Sequence, residues 1–161
     1  MLIARPMIFR ALSAALLLSP LAAGCTAVAT PQAYAQTPQA AEKQDIVVHL
    51  GSFTNDLHSA FMALSLATNL QKHGAEVTVF LDREGVRLAD VRERGDLTWG
   101  DSGGTSAAMT EFVQAGGTVL LCPHCASLAG IEAANVRSGA RMATHEEVAA
   151  IFLEADKVID F

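Results

Sequence analysis

Two cysteines, Cys122 and Cys125, bracket Pro123 and His124 in a CxxC that directly follows the apolar run Thr118-Val119-Leu120-Leu121. The run predicts a buried strand, and the residues from Ala126 to Ala129 predict the start of a helix. Both thiols therefore fall where a strand ends, which is where open α/β sheets place their ligands. A cysteine at the amino end of a helix, with a protonatable His124 nearby, is biased toward the thiolate. The loop between the sulfurs is too short for a structural staple to gain much from closing it.

Three chemistries suit this pair. In the first, Cys122 is a nucleophile that attacks a disulfide or accepts a sulfane sulfur as a persulfide, with Cys125 as the resolving thiol. Neither reaction requires a cofactor. In the second, Cys122 and Cys125 bind Cu(I) without catalysis, with Met142 on the next strand as a further soft ligand. A closed zinc site is disfavoured, because it wants four ligands and the sequence holds no second CxxC and no histidine cluster. In the third, the cysteines are inert and the protein is an oligomeric binding module.

The elements that must position this loop alternate along the chain. Strands are expected at Ile46-Val47-Val48-His49-Leu50, Val77 to Leu81, Thr118 to Leu121, Ala140 to Ala143 and Lys157 to Phe161. Between them, Asp56 can cap a helix running to His73 and ending on Gly74. A short charged helix is expected over Val86 to Arg94. Thr105 can cap a helix to Ala115, and Thr144-His145-Glu146-Glu147 has the form of a capping box. This pattern predicts a three-layer α/β/α sandwich with about five mostly parallel strands.

Ser52 and Asn55 follow the first strand and border the cysteine loop if strands one and three are neighbours; turn chemistry is the competing explanation. His49 is either a half-buried strand residue with a satisfied imidazole or a group facing Cys122. The Gly100 to Gly104 loop fits no phosphate-binding fingerprint. Trp99 beside it anchors a subunit contact or packs the loop down. Arg83, Arg87, Arg92 and Arg94 alternate with acids, as on a solvated face.

Residues 1–24 have the form of a secretory signal: Arg5 and Arg10, then the apolar stretch Ala11 to Leu18, then Ser19-Pro20. Two cleavage sites compete. Ala22-Ala23-Gly24-Cys25 resembles a lipobox, which would make Cys25 a lipidated first residue. Ala33-Tyr34-Ala35 fits ordinary cleavage and would extend the leader to 1–35. Residues 25–44, rich in Ala, Gln, Thr and Pro, read as a flexible linker, and the domain spans 45–161. Export to a periplasm is expected, with membrane attachment only through a lipid on Cys25. Beyond Gly24 remain nine basic against seventeen acidic residues, a net charge of −8 with no basic run, which argues against a nucleic-acid partner.

Two resemblances follow from these residues. Cys-Pro-His-Cys is similar to the active-site tetrapeptide of DsbA-type thiol oxidases, but no proline follows Pro123, so the thioredoxin scaffold is not matched. The whole of 45–161 resembles the DsrE/DsrF-like family, with its YchN-type fold. The match lies in Ile46-Val47-Val48 with Gly51, in Val79-Phe80-Leu81-Asp82-Arg83-Glu84-Gly85-Val86, in Cys122 with Gly130-Ile131, and in Ala155 to Phe161. That resemblance implies a five-stranded, largely parallel sheet and a trimer or hexamer. It also implies a persulfide-carrying cysteine at Cys122, served by donor or acceptor proteins. Relay members are cytoplasmic, whereas this chain carries a leader.

Overall fold

The computed structural model describes residues 43–161. The leader, Cys25 and nearly all of the linker lie outside the described residues. Within them the order is β1 (Asp45–Leu50), α1 (Leu57–Lys72), β2 (Glu76–Leu81), α2 (Thr105–Gln114), β3 (Thr118–Leu121), α3 (Pro123–Leu128), β4 (Ala140–Met142), α4 (His145–Glu154) and β5 (Lys157–Asp160). The five strands form one sheet in the order β4-β3-β2-β1-β5. All four pairings are parallel.

The strands are apolar on both sides because both sides are covered. Val48, Leu50, Val79, Leu81, Val119 and Leu121 pack in one cluster with Ala60, Leu64 and Ala67 of α1 and with Met109 and Phe112 of α2. On the other side Val47, Phe80 and Leu120 pack with Ala143, against Val148 and Ile151 of α4. The second layer is thin. No residue of α4 is fully buried, and Phe152, Leu153 and Val158 remain exposed.

Local signals hold where side chains close the turns. Asp56 caps α1 by accepting from the Ser59 N–H at 3.0 Å. Gly74, at φ +97°, ends it in the left-handed conformation that favours glycine. There the Gly74 N–H donates to the Gln71 carbonyl and the Ala75 N–H to the Leu70 carbonyl. Thr144 and Glu147 form the reciprocal capping box of α4.

Two expectations are corrected. Gly104, not Thr105, is the N-cap of α2; Thr105 is its buried first residue. A side chain at 104 would collide with the Gly95 carbonyl, at 2.6 Å from its Cβ, so the chain places glycine at the cap. The charged helix over Val86 to Arg94 is instead a 3₁₀ segment, Arg83–Ala89, followed by turns. Asp90 stops it. Its carboxylate is buried and taken by Arg92 at 2.7 Å, while Arg137 donates to the carbonyls of Asp90 and Glu93. These carbonyls are satisfied by a distant side chain rather than by helix bonds, which spacing alone does not reveal.

Candidate functional site

The carboxyl ends of β1, β2 and β3 lie side by side, and each carries a short loop. Leu81 of β2 pairs with Leu121 of β3, so Asp82 and Cys122 follow next to each other. The Cys122 N–H donates to the Leu81 carbonyl at 2.8 Å, prolonging the ladder by one bond. Cys122 is then the N-cap of α3, with Pro123 in the first turn, where its missing N–H costs nothing. The Ala126 N–H closes the first turn onto the Cys122 carbonyl at 2.9 Å.

Both cysteines are free thiols and half-buried. They straddle the end of the sheet. Cys122 packs against the α4-side cluster, and Cys125 packs against the larger cluster under α1 and α2. Burial pushes the Cys125 thiol above the ordinary thiol range, opposed by the Arg83 backbone N–H. The neighbouring Cys122 and the Asp82 carboxylate push the same way as burial.

Arg83 reaches Cys125 because of an unusual backbone. It is the one non-glycine residue with positive φ, +44°, among the described residues. Strain of this kind persists only where surrounding contacts fix it. Two contacts do so. Gly85 lies so close to β1 that a Cβ there would be 2.1 Å from the Leu50 carbonyl oxygen, and the guanidinium of Arg83 lies over Gly51, filling the space of a Cβ. Arg83 Nε donates to Asp82 Oδ1 at 3.0 Å.

Asp82 has a second partner. His49 Nε2 lies 3.0 Å from Asp82 Oδ1, and His49 Nδ1 is hydrogen-bonded to Asp160 Oδ1 at 2.6 Å. Arg83, Asp82, His49 and Asp160 form a chain of charged and polar groups across the ends of β2, β1 and β5. The rings of Phe80 and Phe152 flank the imidazole. His49 is therefore a half-buried strand histidine set between two carboxylates, one at each ring nitrogen.

The other sequence candidates are placed plainly. His124 is exposed on the first turn of α3. Met142 pairs with Leu121 and packs against the larger cluster, as Cys125 does and Cys122 does not. Strands β1 and β3 are not neighbours, since β2 lies between them. Asn55 is a turn residue whose Oδ1 accepts from the Phe53 N–H at 2.9 Å. Ser52 is half-buried in the same loop, one strand removed from the cysteines. Trp99 stacks on His58 with ring centroids 4.0 Å apart, which packs its loop onto α1.

Charge alternation assigns Arg83 to a solvated face and gives Asp82 no role at the site, whereas the strand order puts the Asp82-Arg83 loop beside the cysteines. The signal was available in Gly85, a glycine just past a buried strand, which marks close approach of two backbones.

The matching family model is the DsrE/DsrF-like family, over residues 45–161. The chain belongs to this family. The crystal structure of YchN from E. coli is similar over 73% of this chain and 99% of that one, at 26% identity and a TM-score of 0.62. A protein of unknown function from Methanobacterium thermoautotrophicum shares the fold at 14% identity, over 72% of this chain and 97% of that one, with a TM-score of 0.58. Another, from Bacteroides thetaiotaomicron, does so at 16% identity over 73% and 95%, with a TM-score of 0.52. No curated protein matches the chain. The DsrE-like α/β fold, with five parallel strands between helices, is the one expected from the residues.

Proposed function

We propose that this DsrE/DsrF-like protein handles sulfur through Cys122, either carrying a sulfane sulfur as a persulfide or exchanging thiols for disulfides, with Cys125 as the partner thiol. The observation that carries the reading is the placement of the pair. Two free, half-buried thiols lie one helical turn apart at the carboxyl end of β3, where Cys122 ends the strand and caps α3. They pack on different sides of the sheet end, Cys122 toward α4 and Cys125 toward the larger core. The chemistry needs no cofactor. We further propose export to a periplasm, with lipid attachment if Cys25 is the cleavage residue. A homo-oligomer, trimer or hexamer, is proposed to cover the exposed Phe152, Leu153 and Val158, and a donor or acceptor protein to supply or take the sulfur.

The test is anaerobic exposure of the purified protein to inorganic polysulfide, followed by peptide mass. An added sulfur atom on Cys122 in wild type and in Cys125→Ser, and absent from Cys122→Ser, supports persulfide carriage. If no adduct forms but a Cys122–Cys125 disulfide cycles with a thiol buffer, exchange is the reaction. If neither occurs, the sulfur reading is wrong.

A non-enzymatic Cu(I) site is the second reading, favoured by one observation: two free thiols lie within one helical turn at the start of α3. No group of three or more His, Cys, Asp or Glu suited to a metal lies among the described residues. Met142 would have to join from the Cys125 side. Copper retained against a chelator, and lost in either cysteine variant, would favour this reading.

A further inference from the structure

Arg83 offers a positive charge that the persulfide chemistry at Cys122 does not itself use. Its side chain is 63% exposed, yet its Nε is held on Asp82 Oδ1 at 3.0 Å. A guanidinium tied down at Nε keeps its other donors, and a planar fork is suited to binding a carboxylate. Gly51 provides the ledge, since any side chain there would occupy the space of the guanidinium.

Distance defines what could use this fork. Cys122 stands just past β3, while the guanidinium lies over the end of β1, two strands away. Strands lie about 4.8 Å apart, so the separation is about 10 Å. A thiosulfate-sized anion, with one S–S bond of about 2 Å, is too short to touch both. A cysteine-like skeleton fits better. The S–S bond, an extended carbon chain to a carboxylate and a charge-assisted hydrogen bond together span about 9–10 Å.

Resting on the sulfur reading above, we propose that the substrate is a small organic persulfide or disulfide bearing a carboxylate, with Arg83 binding the carboxylate while Cys122 meets the sulfur. For a persulfide R–S–SH, the Cys122 thiolate forms a bond to the outer sulfur. The R–S to S bond breaks, and R–S⁻ leaves with the electron pair. The outer sulfur keeps its proton, giving Cys122–S–SH. The sulfur atom moves without change of oxidation level, so no oxidant or reductant is needed. With a disulfide R–S–S–R, the same attack gives Cys122–S–S–R and R–S⁻.

The test uses two disulfides of one skeleton, 3,3′-dithiodipropionate and its uncharged diamide, and follows the rate of Cys122 modification by peptide mass. The readout is the ratio of the two rates, which cancels any general change in thiol reactivity. In Arg83→Gln the ratio should fall about five- to tenfold, the loss of one charge-assisted contact. In Arg83→Lys it should recover in part, because the charge stays and the fork is lost. Arg83→Lys also serves if the glutamine variant fails to fold. A ratio unchanged in both variants overturns the proposal. The outcome is separable from the polysulfide test: Cys122 can load sulfur while the ratio ignores Arg83, which sinks only the carboxylate site. A ratio that depends on Arg83 without any sulfur loading would retain the binding site and refute persulfide carriage.

Discussion

Gly85→Ala and Gly51→Ala form a matched pair at the edge of the site, and the structure assigns them opposite outcomes. A Cβ on Gly85 would lie 2.1 Å from the Leu50 carbonyl oxygen and 3.0 Å from its carbon. Leu50 is the last residue of β1, and its carbonyl accepts from the Asp82 N–H at 3.2 Å. Backbone fixed inside a ladder cannot step aside, so the strands must part or the 3₁₀ segment must shift. Overpacking costs about 1–3 kcal/mol when side chains absorb it, and a clash with backbone belongs at or above the top of that range. For a domain of this size, about 3 kcal/mol lowers Tm by about 10–15 °C. A Cβ on Gly51 would lie 1.9 Å from Arg83 Nη2, but that guanidinium is 63% exposed and can be displaced into solvent at the cost of its one surface bond to Asp82. Gly51→Ala should cost less than about 1 kcal/mol. It should nevertheless lower the dicarboxylate-to-diamide ratio, because it evicts the fork. Urea unfolding with thermal melts measures the first effect, and the paired disulfide rates measure the second. Equal stability losses in the two variants would refute the reasoning, as would a stable Gly85→Ala protein.

Three further outcomes follow from other parts of the molecule. Cys125 has its pKa raised in the folded protein, so its contribution to stability is fully present below the ordinary thiol value of 9.0 and is lost as pH rises from there through the raised folded value. Asp82→Asn removes one cause of the raised value, so pH-dependent alkylation should show Cys125 ionising at lower pH than in wild type. Asp90 is 2% exposed and its pKa is lowered first by the Arg92 hydrogen bonds; its stabilisation is present above the ordinary carboxylate value of 3.8 and lost as pH falls through the depressed one. Asp90→Ala should cost about 1–3 kcal/mol in urea, less than a fully buried pair would, because Arg92 can rehydrate. Thr144→Ala opens the capping box of α4 and should cost about 1 kcal/mol, with a larger loss if the cap is the main restraint on that half-exposed helix.

The fold was legible because its signals are local and repeated. Apolar runs at Ile46–Leu50 and Val77–Leu81, the cap at Asp56 and the glycine at Gly74 each determine their own few residues. The failures at Thr105 and over Val86 to Arg94 share a cause. In each case a contact from far along the chain decided the local form: Gly95 against Gly104, and Arg137 against the carbonyls of Asp90 and Glu93. The site divides in the same way. The cysteine pair announces itself by spacing, and its place at a strand end follows from one apolar run. Its neighbours depend on strand order, which no local pattern carries. With β2 between β1 and β3, the loop next to the cysteines is Asp82-Arg83 and not Ser52 to Asn55.

The placement of the two sulfurs on opposite sides of the sheet end supports the proposed division of labour, which the tetrapeptide alone does not impose. Cys122 adjoins the thin α4 layer, where Phe152 is exposed, and Asp82 follows the neighbouring strand. Cys125 adjoins the thick layer beneath α1 and α2. A substrate approaching from solvent meets the first sulfur on the side with less protein over it. If this asymmetry governs reactivity, alkylation at neutral pH should modify Cys122 well before Cys125, and should do so in Cys125→Ser but not reciprocally in Cys122→Ser. Equal rates for the two cysteines would mean that the loop opens faster than it reacts, and the sheet would then have no part in choosing the nucleophile.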